Sequence, residues 1–228
     1  MAVTEPDDHG IPWAMQIAVR YERADPADHV STCEVAARAV VALLASEDAQ
    51  HGAWSEPIRI WRDAAIRKLV RRARPAPWLG VQHLPGVTVT QGKAAARAFV
   101  PAPVRPLPPE LAKLQVEGTE LPRTGPSSTV GAYLLIALNP HIEMTTGKAA
   151  AQCGHAAQLS WEAMTPQQRA TWAADAYRVR VTTATPAHWA RQPGQIHVVD
   201  AGFTELDGPT ETVRAWWPPA HWPDWKQA

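Results

Sequence analysis

Two short stretches of this chain read almost alike and stand a fixed distance apart. They are "RAFVPA" at 97–102 and "RAWWPPA" at 214–220, with Arg97 and Arg214 separated by 117 residues. Upstream of each, the order of elements also agrees. In the second half a strand at "AYLLIALN" leads to an alanine-rich helix, a strand at "YRVRVTT", and two strands divided by a turn-rich loop in "IHVVDAGFTELDGPTETVRAWWPPA". In the first half "AMQIAVRY" reads as the strand and "TCEVAARAVVALLA" as the helix. "PIRIW" is then expected as a strand, followed by a basic helix and the strands of "WLGVQHLPGVTVTQGKAAARAFVPA". A recurrence at constant spacing points to a diverged internal duplication. Strands alternating with helices imply an α/β fold, a mixed β-sheet flanked by helices, duplicated as two similar small domains with right-handed crossovers.

Between the halves lies "VPAPVRPLPPELAKLQVEGTELPRTGPSS", whose prolines and turn formers suit a linker with a short helix at 109–116. The expected division is therefore a scaffold domain at 1–100, a Pro-rich linker at 101–128 and a site-bearing domain at 129–228. A length of 228 residues accommodates two small domains, and a 46% hydrophobic content supports a core.

Polar groups suited to chemistry gather in "EMTTGKAAAQCGHAAQLSW", residues 143–161. Thr145 or Thr146 can cap the free N–H groups, and the alanines favour helix. At 3.6 residues per turn Lys148, Gln152, His155 and Leu159 share one stripe. A lysine in the first turn meets the positive end of the helix dipole at a cost of about 0.3–1 kcal/mol, so a site wanting positive charge would explain it. A solvated lysine beside a satisfied histidine is the plainer reading. In the first helix Glu34, Arg38 and Val41 are matched to Lys148, Gln152 and His155, while His83 and Val87 are matched to Asp200 and Thr204.

The formal net charge is zero, so no global positive field gathers nucleic acid. Locally, "RIWRDAAIRKLVRRAR" at 59–74 concentrates basic residues, including Arg67, Arg71 and Arg72, against the single acid Asp63. Such a surface can meet phosphates, or it can be a solvated helix face with Ile66, Leu69 and Val70 turned inward. Two cysteines, Cys33 and Cys153, make neither a zinc cluster nor a disulfide framework. Cys153 lies off the polar stripe and is not taken as a nucleophile. The acidic opening "MAVTEPDDHG" is no signal peptide, and no apolar run approaches a membrane span, so a cytoplasmic location is expected.

The second half resembles the type 2 peptidyl-tRNA hydrolase family of archaea and eukaryotes. The hallmark of methionine, two variable residues, Gly-Lys, alanines, glutamine and histidine appears as "MTTGKAAAQCGH", Met144 to His155. The signature Asp-Ala-Gly-variable-Thr appears as "DAGFT", Asp200 to Thr204, and "PTET", Pro209 to Thr212, stands where the family has Gly-Thr-variable-Thr. The resemblance covers roughly residues 131–218. It departs at Asn139 and His141, where the family commonly has arginine and aspartate, at Pro209, and in the shortened "ATPAHWARQPGQ".

The resemblance implies hydrolysis of the ester joining peptide to the 3′ end of tRNA, with peptidyl-tRNA as partner and no cofactor or metal. Lys148, His155, Asp200 and Thr204 are the expected catalytic residues. Gln152, Thr210, Thr212, Arg67, Arg71 and Arg72 are expected to bind substrate. Lys148 would stabilise phosphate or oxyanion charge, Asp200 at the end of "IHVVD" would orient water, and His155 would transfer a proton or orient a neighbour. The residues leave open which group activates water. Each has a structural alternative: Asp200 as a turn acceptor, Thr210 and Thr212 as strand residues. Rival functions are hydrolysis of another aminoacyl or peptidyl ester and non-catalytic RNA binding. His197 is expected to be structural. Of the eleven tryptophans, Trp216 and Trp217 are expected to pack between the halves, with Trp222 and Trp225 in an extended tail. Because the family commonly forms dimers, the two halves would make a monomer with an internal pseudo-dimer.

Overall fold

A computed structural model of the chain describes residues 10–201 and 208–218. Thr204, Trp222 and Trp225 lie outside the described residues. The first half comprises β1 (Trp13–Arg20), α1 (His29–Leu44), α2 (Glu47–Gln50), α3 (Ser55–Asp63), β2 (Lys68–Ala73), α4 (Pro75–Gly80), β3 (Gly86–Gln91) and β4 (Ala94–Phe99). The intervening segment carries β5 (Ala102–Pro103) and α5 (Pro109–Ala112). The second half comprises β6 (Leu134–Leu138), α6 (Thr146–Ala163), α7 (Pro166–Ala174), β7 (Val179–Thr183), α8 (Pro186–Arg191), β8 (Ile196–Asp200) and β9 (Thr210–Trp216).

The sheets run β2-β1-β4-β3 and β7-β6-β9-β8, with β5 added beside β1. In the first, Ile17 lies between Val70 on a parallel strand and Ala98 on an antiparallel one; in the second, Ile136 lies between Val181 and Ala215 in the same senses. The helix caps repeat as well. The side chain of Asp28 accepts from Ser31 N, and that of Thr145, 117 residues on, accepts from Lys148 N. Trp61 Nε1 donates to Arg67 O at 3.0 Å, and Trp172 Nε1 donates to Arg178 O at 2.9 Å. This is a mixed α/β fold with two similarly arranged sheets, consistent with an internal duplication.

One hydrophobic cluster joins the halves. Helices α1 and α6 pack on each other, and both carry small buried residues, among them Ala36, Ala39, Ala150 and Ala157. Each helix also touches both sheets: α1 meets β3, β4 and β7, and α6 meets β2, β6, β8 and β9. Fully burying medium-sized side chains such as Ile17, Leu43, Leu134 and Ile136 contributes about 1.5–3 kcal/mol apiece. Among the described residues no helix is long and apolar enough to cross a membrane.

Four expectations need correction. "PIRIW" belongs to helix α3, where Ile58 and Trp61, three residues apart, are buried together. The basic run then forms strand β2, parallel to β1, with Lys68, Val70, Arg71 and Ala73 buried. "WLG" lies in α4, so His83 sits in a turn before β3 rather than at a strand end as Asp200 does, and Val87 lies within β3. Trp216 packs with Leu135, Ala137, Ala184 and Trp189 in a cluster separate from the one joining the halves, which holds Trp217.

Candidate active site

The site begins at the N-terminus of α6. The Thr145 side chain accepts from the Lys148 amide at 3.1 Å and so starts the helix. From the first turn Lys148 Nζ reaches Asp200 Oδ2 at 2.6 Å, and one turn on Gln152 Nε2 reaches the same oxygen at 2.8 Å. Asp200 ends β8, just beyond an irregularity at Val198/Val199 that shifts the register against β9. Such an irregularity turns a side chain off the regular alternation. Behind them, the Thr212 hydroxyl donates within 3.0 Å of Gln152 Oε1 and 3.1 Å of Val198 O. One proton cannot serve both acceptors fully, so Thr212 holds the glutamine amide and the strand together as a shared contact. The Lys148 and Asp200 side chains are only 10% and 15% exposed, so their pairing is far less screened than a surface ion pair.

His155 is on the same stripe but is engaged elsewhere. Its Nδ1 is 3.2 Å from Lys68 Nζ, a residue of β2 in the first half. Burial, then the charges of Lys68 and Lys148, hold the imidazole well below its ordinary pKa near 6.5. Lys68 is itself buried, and that burial pushes its ammonium well below the usual lysine range, with Glu162 opposing the shift and Arg62 adding to it. Nothing in the sequence singled Lys68 out from its basic neighbours.

Thr210 pairs with Asp200 in register and its hydroxyl donates to Gly208 O at 3.1 Å. Asn139 Nδ2 donates to Glu211 O at 2.7 Å, and its Oδ1 accepts from His141 N at 2.9 Å, so it fastens the end of β6 to β9. His197 Nδ1 lies 2.5 Å from Glu211 Oε1, and its Nε2 lies 2.9 Å from Gly194 O. Cys153 is buried against Cys33, and that contact together with burial raises its thiol pKa well above the usual value.

The basic residues separate. Arg71 is buried, with Nε 2.7 Å from Gln16 Oε1 and NH1 3.3 and 3.2 Å from Leu111 O and Leu114 O. It is tied into the fold rather than offered to phosphate. Arg72 stacks over Tyr21 at 4.8 Å and bonds Gln115, whereas Arg67 is exposed.

The helix caps also correct the comparison between halves. At a spacing of 117, Ser31, Val35 and Arg38 stand opposite Lys148, Gln152 and His155, one turn away from the pairing drawn from the sequence. On the strands Ala95 stands opposite Thr212, as Ala98 stands opposite Ala215. The first half therefore lacks the ammonium, the amide and the hydroxyl that surround Asp200.

A cleft of about 590 Å³ opens at the same end of α6, lined by His29, Arg123, Asn139, Met144, Thr145 and Thr183 among others. Lys148 and Asp200 are not among its lining residues, so we place the chemistry by the side-chain cluster rather than by the cavity. His29 brings the first half to this cleft: its Nδ1 is 2.9 Å from Thr146 Oγ1. Burial, and then the charge of Arg123, lowers its pKa from 6.5 to about 4, against the opposing pull of Asp28. Among the described residues no group of three His, Cys, Asp or Glu side chains is placed to hold a metal ion. Comparison with protein-family models, curated proteins and solved structures finds no match to this chain.

Proposed function

We propose that this chain hydrolyses the ester between a peptidyl group and the 3′ end of tRNA, as its resemblance to type 2 peptidyl-tRNA hydrolases implies. The observation that carries this reading is the convergence of Lys148 and Gln152 on Asp200, with Thr212 holding Gln152 from behind. These are residues of both signature segments, 52 and 48 positions apart in the chain, meeting at one carboxylate oxygen. Asp200 orients the attacking water and takes its proton. Lys148 keeps that carboxylate in place and supplies the positive charge that stabilises the oxyanion as the tetrahedral centre forms. As the tetrahedral centre collapses, the bond to the ribose 3′ oxygen breaks and that oxygen leaves with the proton that Asp200 took from water. His155 is a poor base here, since an imidazole with a strongly lowered pKa binds a proton weakly.

A second reading, hydrolysis of a smaller aminoacyl or peptidyl ester, draws support from the burial of Arg71, which removes one of the cations expected to meet RNA. Both readings are tested by incubating the full chain with N-blocked aminoacyl-tRNA and with the corresponding ester of a terminal nucleoside. Release of acyl group from the tRNA substrate alone is expected. Equal turnover of both favours the second reading, and release from neither at micromolar chain defeats both.

A further inference from the structure

The seam between the halves holds a charged cluster that the proposed chemistry leaves unused. Lys68 opens β2 in the first half, yet its side chain crosses onto α6 of the second. Its Nζ lies 4.9 Å from the centre of the Trp61 ring and 3.2 Å from His155 Nδ1, and it donates to Gln158 Oε1. Gln158 Nε2 in turn donates to Glu162 Oε1 at 3.0 Å, and that oxygen lies 3.1 Å from Arg62 Nε. Two residues of the first half thus engage one face of α6 at positions 155, 158 and 162.

The helix makes room for this crossing at Gly154. A Cβ there would stand 3.1 Å from Val40 Cγ2 and 3.3 Å from Lys68 Cδ, tighter than packed atoms normally sit. The arrangement is one-sided. In strand register Lys68 is opposite Met15 at the start of β2, and the residue that starts β7 opposite Leu134 is Val179. Of these two matched positions, the one that faces the site-bearing helix carries a buried cation and the other a valine.

We propose that Lys68 is a positioning residue whose ammonium donates to Nδ1 of His155 and fixes the ring as its Nε2–H tautomer. A neutral imidazole carries one proton, so a nitrogen facing a donor must accept and the proton resides on the other nitrogen. The ring faces positive charge from Lys68 and Lys148, both of which oppose the imidazolium; Glu162 and Arg62 act on it through Lys68. His155 is then a hydrogen-bond donor on the Lys148–Gln152 stripe, and water activation is left to Asp200. The first half supplies a side chain on which the second half's helix depends. The catalytic consequence rests on the hydrolase reading; the tautomer does not.

The test uses the full chain labelled with ¹⁵N at histidine, with His155→Gln to identify the ring and two-bond ¹H–¹⁵N correlations to read its tautomer near pH 7.5. The wild-type ring should show an acceptor-type Nδ1 and a protonated Nε2. Lys68→Met keeps the stem and removes the charge, and should give averaged tautomers with a titration moved up toward the ordinary value. On peptidyl-tRNA it should lower kcat about tenfold, the scale of losing a group that orients a functional imidazole, with KM within about twofold. A protonated Nδ1 in the wild-type ring overturns the assignment whether or not the variant folds, as does a Lys68→Met ring spectrum identical to wild type. A chain that releases no peptide yet shows the Nε2–H ring sinks the hydrolase reading and leaves the role of Lys68 standing.

Discussion

Glu34→Gln probes what keeps the two halves in register. Glu34 is 1% exposed on α1, and its carboxylate accepts from four donors. Oε1 takes the Val181 amide of β7 at 3.0 Å and the Ser127 hydroxyl. Oε2 takes the Thr129 hydroxyl at 2.7 Å and Gln91 Nε2 of β3 at 3.0 Å. One side chain thus ties together both sheets and the segment between the halves. Glutamine has nearly the same shape but keeps a single acceptor oxygen, and it places an NH₂ group where two donors converge. The Thr129 hydroxyl can rotate to accept. Gln91 cannot turn its amide without giving up the 2.9 Å bond that its Oε1 accepts from Arg38. One buried donor left unsatisfied costs about 1–3 kcal/mol, and each bond that loses its charge gives up about 1 kcal/mol. Relief from burying a charge offsets part of this loss, leaving a net destabilisation of about 2–3 kcal/mol. For a chain of this size that is a fall in Tm of about 5–10 °C, read by circular dichroism at pH 7.5. A Tm within about 2 °C of wild type would refute the view that these contacts are mutually dependent.

Lys148→Met and Asp200→Asn should each lower peptide release by about 10²–10³-fold while leaving the far-ultraviolet spectrum unchanged; near-normal turnover in the folded double variant would remove both from the chemistry. Arg71→Ala should cost about 2–4 kcal/mol in urea unfolding, because it strips partners from Gln16, Leu111 O and Leu114 O. It should leave the salt dependence of tRNA binding unchanged, whereas exposed Arg67→Ala should reduce the slope by about one if it meets a phosphate. His29 carries a folded-state pKa of about 4 against an unfolded value of 6.5, so the unfolded chain binds the extra proton between these values. Its contribution is fully present above pH 6.5 and is lost as pH falls to about 4, an acid destabilisation of about 3 kcal/mol. His155 acts in the same direction, so the measurement is the difference in Tm-versus-pH slope between wild type and His29→Gln. Parallel curves would show that His29 takes no part.

Local signals suffice where a few neighbouring residues decide the outcome. Caps and alanines mark α6, mostly apolar stretches mark β1 and β6, and the helical repeat places Lys148 and Gln152 on one stripe. The spacing of Arg97 and Arg214 foreshadowed two like sheets, because a repeated order of strands and helices leaves few ways to bury the apolar faces. Alternation and charge mislead where distant segments decide what is buried. "IRIW" alternates like a strand, but Ile58 and Trp61 are buried together on one side of a helix. The arginine-rich run reads as a basic helix facing phosphate or solvent, yet Lys68–Ala73 form β2.

By itself, then, the sequence determined the helix stripe that carries Lys148 and Gln152, the strand that ends at Asp200, and the repetition of the two halves. Only the tertiary structure decided that Lys148 and Gln152 share one oxygen of Asp200, that Lys68 meets His155 across 87 residues, and that Glu34 and Arg71 are buried. The physical reason is the range of the interactions. Helix periodicity and capping act over three or four residues, whereas burial of a charged side chain depends on acceptors and donors brought by distant segments. Arg71 is tolerated inside because Gln16, Leu111 and Leu114 come to it, and Glu34 because Ser127, Thr129, Gln91 and Val181 do.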